Sequence, residues 1–193
     1  MPSDIEMVAE PEVGSDIGLM RDSTPALKKG KLKTVLLYLV TQCGAKPNMD
    51  ANLLLSLLYF CDFNYYEIHE EQLTGLLYKK ESFGPSPKQA LALIKEMENE
   101  KSLLRFKSSY TGIPHVKYLP GIVANLKLIS AAEKELIDRV IDQYSDWSAS
   151  RLSTYSREDM PLKATKQGES IDYELVFYRR PPYTVRIYEE DFV

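Results

Sequence analysis

The sequence lacks the features that mark most catalytic and membrane-bound chains. Its longest apolar runs, VLLYLV and LLLSLLYF, fall far short of the roughly 18–20 residues of a membrane span. Only two cysteines, Cys43 and Cys61, and two histidines, His69 and His115, occur. Their order lacks the close Cys pair and close His pair that preform a zinc site, and two cysteines do not build a disulfide framework. Both thiols fall on apolar helix faces, where cysteine behaves as a small hydrophobe. Neither GxGxxG nor GxxxxGKS/T is present, so phosphate chemistry has no motif behind it. The adjacent acids Glu70-Glu71, Glu158-Asp159 and Glu189-Glu190-Asp191 read as solvated faces rather than acid–base pairs. No catalytic residue, metal or cofactor is therefore expected. The opening MPSDIEMVAEPE is acidic and lacks the charged-then-apolar pattern of a secretory signal, so a cytoplasmic location is the expectation.

What is present suits a soluble globular protein: 44% hydrophobic and 27% charged residues in a chain long enough for one cored domain. A net charge of −4 argues against nucleic acid, where a basic face normally dominates affinity. Residues 1–24 mix acids with Gly, Ser and Pro and are expected to form a disordered acidic extension. A domain is expected over 25–180 and a tail over 181–193.

Leu32, Val35, Leu36, Leu39, Val40 and Cys43 repeat at helical spacing, and Gly44 and Pro47 end that helix. Asn48 or Asp50 can cap a second helix over about 50–68. Its principal face is Leu54, Leu57, Leu58, Cys61, Tyr65 and Ile68, and a second stripe carries Tyr59, Phe63 and Tyr66. An arc that wide predicts either a helix buried on more than one side or one with a face awaiting a partner. Thr74-Gly75 turns the chain and LLYK reads as a short strand. In FGPSP, Ser86 is expected to cap a helix that has Pro87 at its first position. LLRFKSS and HVKYL, joined by YTGIP, read as a β-hairpin. Ser130 and Glu133 form a capping box that opens an amphipathic helix, and a shorter helix covers 148–155. IDYELVFYRR is a helix end or a strand. The fold class is thus mainly α with a small β component (α+β), in an order compatible with a winged helix. In that reading PKQALALIKEMENEK is the recognition helix, with Lys88 and Gln89 facing DNA and Glu96, Glu98 and Glu100 opposing phosphate.

Thirteen tyrosines raise a question about the second helix. Rings at helical spacing usually fill a core, but tyrosine also suits surfaces that alternate between water and a partner. Both readings stand on the residues alone. In the second, Tyr59, Phe63 and Tyr66, with Tyr110 and Trp147, are the partner-binding anchors.

The run LLYFCDFNYYEIHEEQLTGLLYKKESFGPSPKQ resembles the signature of the Panacea, or SocA-like, antitoxin domain. Its elements fall on Leu57 to Asp62, Tyr65-Tyr66, Thr74-Gly75, Tyr78, and Phe83 to Pro87 through Gly84 and Pro85. KLKTVLLYLV, ISAAEKELIDRVIDQYSDWSASRLS and IDYELVFYRR also resemble family segments. The chain departs where the family often has a His and then a Trp, since Ser156 and Leu162 stand there. The resemblance implies an antitoxin, bacterial or phage-encoded, that binds and neutralises a toxin encoded beside it. It supplies no catalytic residues, and its founding type is an adaptor that delivers its toxin to a protease, for which a Clp-type unfoldase is the candidate. Asp62 is expected to be structural, accepting hydrogen bonds from the region of Thr74.

Overall fold

The computed structural model describes residues 26–187. Residues 1–25, which include the expected acidic extension, and the last six residues of the expected tail lie outside that range. Helix α1 (Lys29–Cys43) is followed by α2 (Ala51–His69), which Asp50 caps by accepting a 2.7 Å bond from the Leu53 N–H. Strands β1 (Lys79–Glu81) and β2 (Gly84–Ser86) precede α3 (Lys88–Asn99), and β3 (Leu103–Tyr110) pairs with β4 (Ile113–Pro120). A single 3₁₀ turn, Leu126–Leu128, leads to α4 (Ala131–Tyr144), α5 (Ala149–Glu158) and α6 (Met160–Ala164), and a 3₁₀ segment covers Tyr173–Tyr178. The architecture is α+β, mostly helical, with two small antiparallel sheets among the described residues.

Helix α2 is the axis of the core. From Ser56 to Glu67 every residue is buried, because α1, α4, α5 and the 3₁₀ segment Tyr173–Tyr178 pack around it. Both apolar stripes on this helix are therefore covered by the chain itself. The capping box of α4 is formed: Ser130 N–H donates to Glu133 at 2.7 Å and Glu133 N–H donates to the Ser130 hydroxyl at 3.1 Å. The long hairpin turns at Thr111-Gly112, both with positive φ, the conformation that suits the twist of the flanking strands.

Three local readings are corrected. FGPSP does not simply lead into a helix; it supplies β2, with Ser86 paired to Lys79 and Pro85 to Lys80. Ser86 is thereby taken up by the ladder, and Pro87 is the cap residue of α3 without a side-chain bond. The other edge of β1 is covered by 168–171: Gly168 N–H donates to Lys80 O and Ile171 N–H to Tyr78 O, both at 2.8 Å. The short strand expected at LLYK thus runs over Lys79–Glu81 instead of 76–79, and it pairs with β2 in a sheet separate from the β3–β4 hairpin. Finally, Asp159 belongs to no solvated acidic face. It is fully buried, whereas its neighbour Glu158 is exposed.

Asp159 is the centre of a buried polar lock. Arg179 donates to both of its carboxylate oxygens, the Nε bond being 2.9 Å, and to Asn64 Oδ1 and Glu67 Oε2 of α2 at 2.9 Å each. Tyr59 Oη donates to the same Asp159 at 2.9 Å. Burial works against the guanidinium charge, but Asp159 foremost, then Tyr59 and Glu67, hold its pKa above the ordinary value. Beyond Arg179, Thr184 Oγ1 and Val185 N–H donate to Glu67 Oε1 at 2.6 and 3.2 Å, and Tyr183 stacks on Tyr155. The described start of the expected tail is thus bound to α2 and α5. Removing one partner of such a set leaves the others charged and unpaired. Arg179→Met is expected to cost about 3–5 kcal/mol in denaturant unfolding; an unchanged midpoint would show that the lock carries no stability.

Candidate functional site

Asp62 sits on the fully buried side of α2 and gathers the turn that follows. Its carboxylate accepts from Thr74 N–H at 3.0 Å, from the Thr74 hydroxyl at 2.7 and 2.8 Å, and from Tyr78 Oη at 2.6 Å. Gly75 comes next with φ +72°, and a Cβ there would stand 1.9 Å from the Ala26 carbonyl oxygen, so no other residue fits. This closes the chain entry onto the turn, where Lys28 N–H donates to Thr74 O at 2.8 Å. Pro85 lies within β2 and Pro87 follows it, and Gln89 Oε1 accepts from Leu77 N–H at 3.1 Å, tying α3 to the segment that leads into β1. The motif residues thus form one interior joint between α1, α2, β1–β2 and α3.

The rings of α2 belong to that interior. Tyr59 and Phe63 are fully buried and Tyr66 nearly so, so none of the three is a surface anchor in this fold. Phe63 stacks on Tyr173 with centroids 4.3 Å apart, Tyr59 lies 4.4 Å from Phe63, and Tyr78 meets both edge-on. Tyr66 donates its hydroxyl to Glu174. The physical reason is the covering of α2 from both sides, which leaves no stripe free. Trp147 is half-buried against Tyr144 and Tyr155, and the Arg151 guanidinium lies 3.7 Å from its ring centre. Its face is therefore occupied by its own chain. Tyr110, at the end of the hairpin, is 40% exposed.

Alternation along the hairpin shows what accompanies Tyr110. Phe106, Ser108 and Tyr110 share a face with their cross-strand partners Lys117, His115 and Ile113. Phe106 is 46% and Ile113 67% exposed, so an apolar face stands in solvent at this end of the molecule. His115 Nε2 lies on the same face and is the buried side-chain polar atom without a hydrogen-bond partner among the described residues. Phe83, at the tip of β1–β2, is 88% exposed while its carbonyl accepts from Ser153 Oγ at 2.5 Å. Sequence reasoning counted Phe83 among the motif rings but not as a surface residue; its place directly before a Gly-Pro turn was the available signal. Phe106 and Ile113 were findable from the period-2 alternation around YTGIP.

The acids of α3 differ from the DNA-binding expectation. Lys29 Nζ is 2.8 Å from Glu96, Lys33 pairs with Glu100, and Tyr118 Oη donates to Glu98 at 3.0 Å. These carboxylates are engaged by α1 and β4 rather than opposing an approaching phosphate. Cys43 and Cys61 are free and buried, and burial pushes the Cys43 thiol up to about 11 and Cys61 well above its ordinary value. Among the described residues no group of three His, Cys, Asp or Glu side chains is placed to hold a metal ion, and no helix is long and apolar enough to cross a membrane.

The Leu-Leu-Tyr-Phe–Asp helix, the Thr-Gly turn and the Phe-Gly-Pro strand thus meet in one joint of a helix-wrapped α+β scaffold. The model of the family described as antitoxin SocA-like, Panacea domain, matches residues 54–161, more than half of the 193 residues, and the chain belongs to that family. No curated protein and no solved structure matches the chain.

Burial, the largest influence, raises the Asp62 carboxyl from 3.8 to about 6, against the lowering effect of the bonds from Tyr78 and Thr74. The folded state therefore holds this proton more tightly than the unfolded chain does. The stability it contributes is full below about pH 4 and is lost as pH rises through about 6. Asp62→Asn cannot titrate, so wild type should lose roughly 3 kcal/mol relative to it between pH 4 and 7 in urea unfolding. Parallel pH profiles for the two proteins would overturn the assignment.

Proposed function

We propose that this protein neutralises a protein toxin by binding it directly, with the exposed face of the β3–β4 hairpin as the contact. Membership of the antitoxin family carries the reading. The face offers Tyr110, Phe106 and Ile113 at the free end of a hairpin whose base is anchored by buried Leu103 and Tyr118. Solvent-exposed aromatic rings are efficient anchors because each buries a large area on docking while freezing few rotatable bonds. A specific complex buries roughly 1,600 Å² in total, and a few central residues carry most of its energy.

The test is co-expression with the small open reading frame adjoining this gene, scored by growth and co-purification. In titrations with that product, Phe106→Ala/Tyr110→Ala should raise Kd at least about tenfold, a loss of about 1.4 kcal/mol, with an unchanged melting temperature. Equal affinity for the double variant removes the hairpin from the interface. A toxin half-life that shortens on co-expression, and recovers in a host without its Clp-type protease, marks an adaptor acting by delivery.

One observation favours a second reading, binding to operator DNA. The described residues carry 23 Lys and Arg against 19 Asp and Glu, so residues 26–187 of this acidic chain are themselves basic. Lys88, Gln89 and Lys95 of α3 face solvent. A gel shift with the upstream DNA should then weaken at least tenfold between 50 and 200 mM salt, as counterion release requires. No shift at 50 mM would dismiss this reading.

A further inference from the structure

The β3–β4 hairpin is a sheet of two strands, so each strand has one outer edge. Which backbone groups point outward follows from the register. Gly121 N–H donates to Ser102 O at 2.9 Å, one step below the Leu103–Pro120 pair, so that level is of the hydrogen-bonded kind. Bonded and non-bonded pairs alternate from there. Leu104, Phe106, Ser108 and Tyr110 therefore bond to β4, while Arg105, Lys107 and Ser109 turn their N–H and C=O groups away from it. On β4 the outward set is Pro114, Val116, Tyr118 and Pro120.

The two edges are unlike. That of β4 is closed, because its two prolines have no N–H to offer and the end of α1 lies against the Tyr118 carbonyl. A Cβ on Gly44 would stand 2.7 Å from that oxygen. β3 has no proline, and its register runs without a bulge. Arg105, Lys107 and Ser109 are exposed, and among the described residues neither the outward N–H nor the outward C=O of any of them has a hydrogen-bond partner. Such an edge is a template for one more strand.

The two faces of β3 select what that strand carries. Arg105 and Lys107 share one face and form no ion pair among the described residues, while Phe106 and Tyr110 share the other. A strand laid along β3 sends its side chains to these faces in alternation. Acids then meet Arg105 and Lys107, and large apolar groups meet Phe106 and Tyr110. A second copy of β3 does not fit. In the centred antiparallel registers, Arg105 and Lys107 of one copy fall opposite or diagonal to those of the other, and like charges so placed repel. Charge on an edge ordinarily keeps strands away. Here it does so selectively, since it rejects a copy of itself and attracts an acidic strand.

We propose that the toxin binds by adding an extended segment to the outer edge of β3 as a third strand, a segment in which Asp or Glu alternates with large apolar residues. The proposal rests on the toxin-binding reading for the partner's identity and adds the mode of contact. Main-chain hydrogen bonds supply affinity in this mode, and the alternating side chains supply selectivity.

The test uses the full chain labelled with ¹⁵N, and the product of the adjoining reading frame as the probe. Amide hydrogen exchange is read residue by residue. In the free protein Phe106 and Ser108 should exchange slowly and Arg105, Lys107 and Ser109 fast, in step with the ladder. In the complex the three fast amides should slow at least about tenfold. A complex that forms with the alternation intact overturns strand addition and leaves toxin binding by the hairpin face standing. Lys107→Pro removes one outward N–H and leaves the ladder whole, as Pro114 and Pro120 do in β4. It should raise Kd at least about tenfold above that of Lys107→Ala at an unchanged melting temperature. Equal Kd for these two variants overturns the proposal; where Lys107→Pro melts lower, the exchange pattern of the wild type decides alone. Arg105→Glu/Lys107→Glu should weaken binding at low ionic strength, and equal or tighter binding overturns the acidic chemistry assigned to the added strand. A wild-type chain that binds no product of that frame removes the toxin reading and this proposal together.

Discussion

Helix α2 has no side that faces water along its central turns, so each polar group on it must find its partner inside the protein. Asp62, Asn64 and Glu67 are buried there, and burying such groups unpartnered would cost several kcal/mol apiece. The chain meets this demand by bringing distant segments to the helix: Thr74 and Tyr78 to Asp62, Arg179 to Asn64 and Glu67, Thr184 to Glu67. The connectivity of the domain follows from these partners. Residues from the turn after α2 and from the far C-terminal part of the described chain converge on one helix because only they neutralise it.

This requirement also decides where recognition can occur. The aromatic wealth of the central helix goes into edge-on and stacked contacts within the core, and Tyr59 serves both the ring cluster and the Asp159 lock. Surface chemistry is left to elements that hang from the core: the tip of β1–β2 with Phe83, the free end of β3–β4 with Phe106, Tyr110 and Ile113, and the link over α1 with Ile122 and Val123. These elements are short and project from a rigid frame, so their side chains can change while the Asp62 joint stays as it is. A scaffold built this way separates what makes it fold from what makes contact.

The legible part of the architecture was carried by periodicity and caps. The stripes of α1 and α2, the Asp50 cap, the Ser130–Glu133 box and the YTGIP hairpin are local features, each decided by residues within a few positions of one another. The misread parts depend on residues far apart in the chain. Asp159 looked like half of a solvated acidic pair until Arg179 and Tyr59 were placed on it, and Ser86 looked like a cap until Lys79 took it into a ladder. The acids of α3 looked repulsive to phosphate until α1 supplied Lys29 and Lys33. The linking segment at 121–128 carried no local signal of its exposure, while Gly121 passes so close to Lys101 that a Cβ there would stand 1.9 Å from its carbonyl oxygen.

The sequence by itself determined the helices, the hairpin, the family and the sign of the charge on each part of the chain, because these depend on composition and on spacing along a few turns. Which of two equally apolar stripes on α2 would face water was beyond it, since periodicity reports that a face is apolar and not what covers it. Tertiary structure decided that both are covered, that a carboxylate in an acidic pair is the heart of the core, and that Phe83, Phe106 and Ile113 on the two hairpins stand in solvent. The physical reason is that burial is set by what packs against a residue, and for α2 those neighbours lie up to 118 positions away.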